Sequence, residues 1–246
     1  MQSDICVVIP CHSWPGYLPL ALNSISCQTV MPSHVFTIFD APALSYTKPM
    51  AMAMRYSEPV WLSENVGPAQ VRNIGFEWAI KYGYEWVAFL DEDDEYHPQY
   101  IERMCQSRKL VPWASIHYCD WIKIGAWHGY QRVDEYNYER LLQGPFIMSA
   151  SVINVKAWQD VRERNGTGYD PELRGWEDYL AYLEMGALGH IGARVGLGLC
   201  RYRKHAGRSI SDEAHNDLPR IVGYIQEKMQ KLYSIKVAYK IPLAAI

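Results

Sequence analysis

"AFLDEDDEYHP", residues 88–98, is the stretch on which the reading of this chain turns. An apolar run suited to a buried strand ends in five consecutive acids, Asp91, Glu92, Asp93, Asp94 and Glu95. One reading is a solvated turn whose last acids favour the start of a helix opened by Pro98. A helix-loop-helix calcium site does not fit, because the required glycine position holds Tyr96 and the distal glutamate is misplaced. The strand of a nucleoside triphosphatase would need a companion G-x-x-x-x-G-K-[ST], and the sequence contains none. The remaining reading is a divalent metal site. Hard cations take oxygen ligands, and carboxylates at alternate positions past a strand end, here Asp91 and Asp93, can converge on one ion and a bound diphosphate.

Upstream, short β-rich runs alternate with segments of helical period. ICVVIP (5–10), HVFTIFD (34–40), PVWLSE (59–64) and EWVAFLD (85–91) read as strands. A helix is expected from about Tyr17 to Cys27, and another over Gly67–Tyr82, where Val71, Ile74, Trp78 and Tyr82 recur at threes and fours. This alternation predicts an α/β fold with a mostly parallel central sheet flanked by helices, and ligands beyond the carboxyl ends of the strands. Asn65, Arg72 and Asn73, around the start of the second helix, are candidates to help hold a nucleotide. Downstream, SIHYCDWIKIG (115–125) reads as one or two strands and FIMSASVINV (146–155) as another. WEDYLAYLEMGALG (176–189) reads as a helix closed by glycine. A C-terminal helix opens near Pro219 and carries the stripe Ile221, Ile225, Met229 and Leu232.

The chain has 246 residues, which suits one domain with a substantial core. The expected division is a nucleotide-binding half over about 1–110, an acceptor half over about 111–211 and a helical segment over 212–246. Lys plus Arg number 24 against 27 Asp plus Glu, so the net charge of -3 supplies no general field for nucleic acid or anionic membrane. The six cysteines show no C-x-x-C pair, which points away from a zinc site or a disulfide framework. No apolar run approaches the length of a membrane span, so a cytoplasmic protein is expected, with peripheral membrane contact left open.

VVIPCHSWPGYLPLALNSISCQT, NVGPAQVRNIGFEWA, FLDEDDEYHP, GWEDYLAYLEMGALG and YRKHAGRSIS occur in the order found in the inverting family 2 glycosyltransferases, and the chain resembles that family over about residues 4–211. The resemblance implies a GT-A fold and transfer of a sugar from a nucleotide sugar, by the family's habit a UDP-sugar, to an acceptor hydroxyl. It implies that Asp40 and Arg72 sit near the nucleotide base and that Asp91 and Asp93 form the D-x-D motif, Asp91 toward the ribose and Asp93 on the metal and diphosphate. The implied cofactor is Mn²⁺ or Mg²⁺. Pro10, Asn65, Arg203 and Arg208 are further implied nucleotide contacts, His205 a second metal ligand, and Asp178 the catalytic base. The stretch after Asp40 departs from the family pattern, with Ala41-Pro42-Ala43-Leu44 in place of a second acid and a Gly-Ser-Thr turn.

These residue types match the chemistry. A nucleoside diphosphate leaves as the glycosidic bond breaks, so positive charge beside the diphosphate stabilises the leaving group. A carboxylate on the opposite side of the sugar takes the acceptor's proton and inverts the anomeric centre. Bland alternatives stand beside each role: Asp178 as part of an exposed helix face with Glu177 and Glu184, His205 as a surface residue, Trp176 as packing. The six tryptophans and tyrosines from Trp113 to Tyr136 offer either an acceptor groove or ordinary packing. A nucleotidyltransferase and a non-catalytic nucleotide-sugar binding protein are the competing functions. PCHSWPGY (10–17) lacks the basic residues of the first, and the retained Asp178 argues against the second. The acceptor is a glycan, a lipid-linked sugar, a protein or, ranked lower because of the acidic net charge, a modified nucleic-acid base.

Overall fold

The computed structural model describes residues 3–12, 16–40, 55–205 and 217–239. Its centre is a nine-stranded sheet in the order β3-β2-β1-β4-β8-β6-β9-β5, with β7 added on β6. The strands β1 (Ile5–Cys11), β2 (His34–Phe39), β3 (Glu58–Trp61) and β4 (Trp86–Phe89) are mutually parallel. Beyond them the sheet is mixed. β8 (Val152–Asn154) runs antiparallel to both β4 and β6 (Ile116–Gly125), β9 (Gly192–Lys204) runs parallel to β6, and β5 (Glu95–Tyr96) and β7 (Gly129–Gln131) are antiparallel additions. The expected α/β class therefore holds, with parallel pairing concentrated in the first half of the chain.

Alternation along β1 divides the core. Cys6 and Val8 face a cluster with α2 (Pro68–Lys81), α5 (Val155–Asn165), α6 (Glu177–Ala187) and α7 (Leu218–Tyr233). Ile5, Val7 and Ile9 face α1 (Leu18–Ser26) and α3 (Tyr100–Leu110). The side chains of a strand point alternately to the two faces, so continuous apolar strands here mean a sheet covered on both sides. α2 lies close on β1: a Cβ built at Gly75 would be 2.7 Å from Val8 Cγ1. Asn73, offered by the sequence as a nucleotide contact, is instead buried packing hardware. Its Oδ1 accepts from Trp158 Nε1 and from the Tyr169 amide, and its Nδ2 donates to the Tyr169 carbonyl.

Two elements of the second half differ from expectation. The strand read over 146–155 is confined to Val152–Asn154. Before it the chain turns, with Ser151 and Tyr182 both donating to the Met148 carbonyl, and after it Asn154 caps α5 by accepting from the Lys156 amide. The stretch 115–125 is a single strand, followed by the β6–β7 hairpin. A short helix, α4 (Tyr138–Leu141), bridges toward β8.

Candidate active site

The five acids follow the end of β4, where the Asp94 amide turns back to the Asp91 carbonyl. Burial alternates along them: Glu92 and Asp94 are buried, while Asp91, Asp93 and Glu95 are partly exposed. Each is engaged by a polar or charged group. Glu92 accepts from the His12 amide at 2.9 Å and from Cys11 Sγ at 2.8 Å, tying the loop to the end of β1. Burial first, and the Glu92 charge second, push the Cys11 thiol far up, so it stays a donor. Asp94 Oδ1 accepts from the Arg203 amide at 2.8 Å, and its Oδ2 is buried without a partner among the described residues. Burial, then the charges of Asp93 and Asp91, raise the Asp94 carboxyl well above the usual range and favour the neutral acid. Glu95 pairs with Arg203 Nη2 at 2.6 Å.

Asp93 Oδ2 lies 2.7 Å from His205 Nε2. Arg203 closes the same corner, with Nε donating to the Asp93 carbonyl at 2.9 Å and its guanidinium 4.6 Å from the centre of the Tyr17 ring. Burial and the Asp91 charge raise the Asp93 carboxyl, and His205 works in the opposite direction. Carboxylate and imidazole fit a divalent cation: neighbouring ligands of an octahedral ion with bonds of about 2.1 Å lie about 3 Å apart, close to the separation seen. No group of three His, Cys, Asp or Glu is arranged for a metal among the described residues, so water and substrate oxygens would complete such a shell.

Asp91 belongs to a second group. Its Oδ1 accepts from Arg72 Nη2 at 2.9 Å and its Oδ2 from Ser149 Oγ at 3.0 Å. The other end of the buried Arg72 guanidinium donates to Glu177 Oε1 at 2.7 Å. Burial opposes the Arg72 charge, but Asp91, Glu177 and Asp178 around it outweigh burial and raise its pKa. One cation thus ties the acidic loop to the start of α6, although the sequence placed Arg72 at the base.

The α6 start is unusual. Trp176, its N-cap residue, has φ 64° and ψ 11°, a left-handed conformation that costs a non-glycine residue on the order of 1 kcal/mol or more. Its ring meets Tyr179 edge-on at 5.6 Å and Tyr239 at 5.4 Å. Glu177 Oε2 accepts from the Gly175 amide, so both of its oxygens are engaged. Asp178 Oδ1 accepts from the Tyr179 amide at 2.7 Å. Burial first and the Glu177 charge second push the Asp178 carboxyl up to about 7, against the pull of Arg72. A carboxyl at that value is suited to exchanging a proton near neutral pH.

A third group lies at the ends of β1 and β2. Asp40 is buried and accepts from the Val66 and Gly67 amides at 2.6 and 2.9 Å, which holds the loop entering α2. Gly67 takes φ +84° there. Asn65 Nδ2 is 3.0 Å from the His12 ring, whose Nδ1 is 2.9 Å from the Asp40 carbonyl. Pro10 pairs in register with Ile38 on the same strand ends. The structure therefore gathers Pro10, Asp40 and Asn65 at one place, Arg72 and Asp91 with the helix of Asp178 at another, and Asp93, Arg203 and His205 at a third. Arg208 and the stretch 41–44 lie outside the described residues. The sequence reading missed His12, Ser149 and the engagement of Glu177. His12 and Glu177 sat inside quoted motifs, but nothing local marked Ser149.

The profile of glycosyl transferase family 2 matches residues 6–144. A Haemophilus influenzae protein described as an uncharacterized glycosyltransferase is 24% identical over 239 residues, which is 92% of this chain and 77% of that protein. The succinoglycan biosynthesis protein ExoW of Rhizobium meliloti is 33% identical over 123 residues, 47% of this chain and 38% of that protein. Among solved structures, S. aureus TarS 1–349 in complex with UDP-GlcNAc superposes with a TM-score of 0.73 at 16% identity, covering 94% of this chain and 67% of that one. The mannosyltransferase PcManGT of Pyrobaculum calidifontis, in complex with GDP-Man and Mn²⁺, gives 0.65 at 13% identity, covering 94% and 65%. This chain spans about two thirds of each of those structures and well under half of ExoW.

Proposed function

The chain belongs to glycosyl transferase family 2 and has its GT-A-like α/β fold, and on that premise we propose that it is a metal-dependent, inverting glycosyltransferase using a UDP-sugar, with Asp178 as the base. The observation that carries this reading is the Arg72 bridge, which ties Asp91 of the acidic loop to the residue beside Asp178. It draws a donor-side carboxylate and the start of the base helix onto one buried guanidinium. A UDP-sugar is favoured by the fold shared with a protein solved in complex with UDP-GlcNAc.

In this reading the Asp40 carboxylate, with the loop it holds at 66–67, lines the base pocket, and Pro10 and Asn65 flank it. Asp91 faces the ribose and is kept in position by Arg72 and Ser149. Asp93 and His205 would hold Mn²⁺ or Mg²⁺, which would supply positive charge beside the departing diphosphate. Arg203 fixes the Asp93 backbone, and Arg208 is a further diphosphate contact by resemblance. Asp178 accepts the proton of the attacking acceptor hydroxyl as the new glycosidic bond forms and the bond to the diphosphate breaks. The nucleotide leaves on the opposite face, which inverts the anomeric centre.

UDP titration with and without Mn²⁺, followed by a screen for hydrolysis of UDP-sugars, tests the proposal. Affinity should rise with the metal, and Asp93→Ala should abolish the rise. Equal UDP affinity with and without Mn²⁺ in the unmodified protein would overturn the metal assignment.

A further inference from the structure

Strands β6 and β9 run parallel and reach the acidic loop together: Gly125 pairs in register with Lys204, and His205 follows at once. Residues paired across neighbouring strands point to the same face of the sheet, and successive residues alternate. Trp121, Lys123, Tyr202 and Lys204 therefore share one face. Arg201 and Arg203 take the other, where they pair with Glu95.

On the shared face the Trp121 and Tyr202 rings meet edge-on, 5.3 Å apart at an interplanar angle of 79°. Lys123 Nζ lies 5.3 Å from the Trp121 ring centre and Lys204 Nζ 4.8 Å from that of Tyr202. Lys204 Nζ also donates to the Tyr202 hydroxyl at 3.4 Å. All four side chains are partly buried. Neither lysine has a carboxylate partner among the described residues, whereas Arg194, Arg201 and Arg203 of β9 are each paired. Trp121 packs against the same apolar cluster as Met148, next to Ser149, which donates to Asp91.

A ring beneath an ammonium group restrains it without cancelling its charge. Two such charges, diagonal on one face and without a carboxylate partner among the described residues, repel each other and are relieved by an anion between them. Aromatic rings on the same face offer apolar surface to the C–H face of a sugar. The geometry points to this face as the subsite for an acceptor glycan that carries negative charge, as carboxylate or as phosphate. The assignment names the acceptor class for the glycosyl transfer proposed above and rests on that reading.

The test compares three fluorescently labelled oligosaccharides of similar length, oligogalacturonate, a phosphorylated dextrin and maltohexaose, titrated against the full chain with UDP and Mn²⁺ present. At least one charged probe should bind about tenfold or more tightly than maltohexaose, a difference within reach of charge-assisted contacts. Which charged probe binds more tightly distinguishes carboxylate from phosphate. The preference should vanish in the Lys123→Gln/Lys204→Gln double variant and survive in Lys123→Arg/Lys204→Arg. Equal binding of charged and neutral probes, or a preference that survives the glutamine variant, would overturn the assignment. So would tighter binding of a single-stranded oligonucleotide than of either charged sugar. UDP binding, measured separately on the same protein, bears on the proposed activity alone. UDP binding without charge preference removes the acceptor class and leaves the activity, while charge preference without UDP binding removes the activity.

Discussion

Carboxylates crowd together at two places, the loop at 91–95 and the start of α6 at 177–178, and the two places dispose of the charge differently. In the loop every acid is engaged: Arg72 bonds Asp91, the His12 amide Glu92, His205 Asp93, and Arg203 both Asp94, through its amide, and Glu95, through its guanidinium. At the helix start a single cation serves two acids unequally. Arg72 bonds Glu177, while Asp178 has the amide of the next residue and a carboxyl raised to about 7. The loop acids are fixed by their partners, whereas Asp178, which we propose as the base, keeps a raised carboxyl.

The largest test of that division is Asp178→Asn. It keeps the size of the side chain and an acceptor for the Tyr179 amide but removes the proton acceptor, so kcat for sugar transfer should fall by about 10²- to 10⁴-fold while UDP affinity persists. Stability should move the other way. A carboxyl raised from 3.8 to about 7 in the folded state contributes stability that is present at low pH and lost as pH rises through that window. The melting temperature of Asp178→Asn should therefore exceed that of the unmodified protein at pH 8 and match it near pH 4. A variant with full activity and no gain at pH 8 would show that Asp178 neither takes the acceptor's proton nor carries a raised carboxyl.

A smaller effect concerns the pH profile. On the acid side kcat/KM should fall about tenfold per pH unit, with an inflection near the value of Asp178. Glu177→Gln removes a neighbouring negative charge that helps raise Asp178, so the inflection should move to lower pH while substantial activity remains. An inflection that stays in place would show that Glu177 does not act on the base. The smallest expected effect is that of Ser149→Ala, which takes one hydrogen bond from Asp91 and leaves Arg72. UDP affinity should weaken by about 1 kcal/mol, and a loss several times larger would assign Ser149 a direct role at the nucleotide.

The same two regions mark how far the sequence could be read. β1, β2, β4, α1 and α2 are legible because each obeys one period over its length and closes a local βαβ unit. The second half breaks its periods. β9 opens on Gly192, is interrupted by Gly196 and Gly198 and carries three arginines of which Arg201 is exposed, and its register with β6 shifts around Asp120. Asp120 is buried under Arg194, so an acid in mid-strand pointed away from the structure that holds it. In α5 the apolar positions Val155, Trp158 and Val161 lie three apart, but Val155 also completes the alternation of the preceding strand. The motif order drew attention to Asp91, Asp93, Asp178 and His205, and three of these four meet partners far along the chain. The Arg72–Glu177 bond joins positions 105 residues apart, and no local pattern encodes it.

The pairing of β5 with β9 has a consequence for how the molecule comes into being. The contacts of Arg203 and His205 with Asp93, Asp94 and Glu95 span 108 to 112 residues of chain. Local units can collapse early, whereas closing a loop of that length costs entropy before any contact offsets it. During synthesis β1 to β4 emerge with their parallel partners close in sequence, and Cys11, His12 and Arg72 can hold Glu92 and Asp91 early, but the corner at Asp93, Asp94 and Glu95 lacks Arg203 and His205 until residue 205 has left the ribosome. A nascent chain stopped before Gly192 is expected to build the first half of the sheet and still fail to retain UDP. Ligand binding then reports completion of the fold, because the corner that holds Asp93 is among the last pieces assembled.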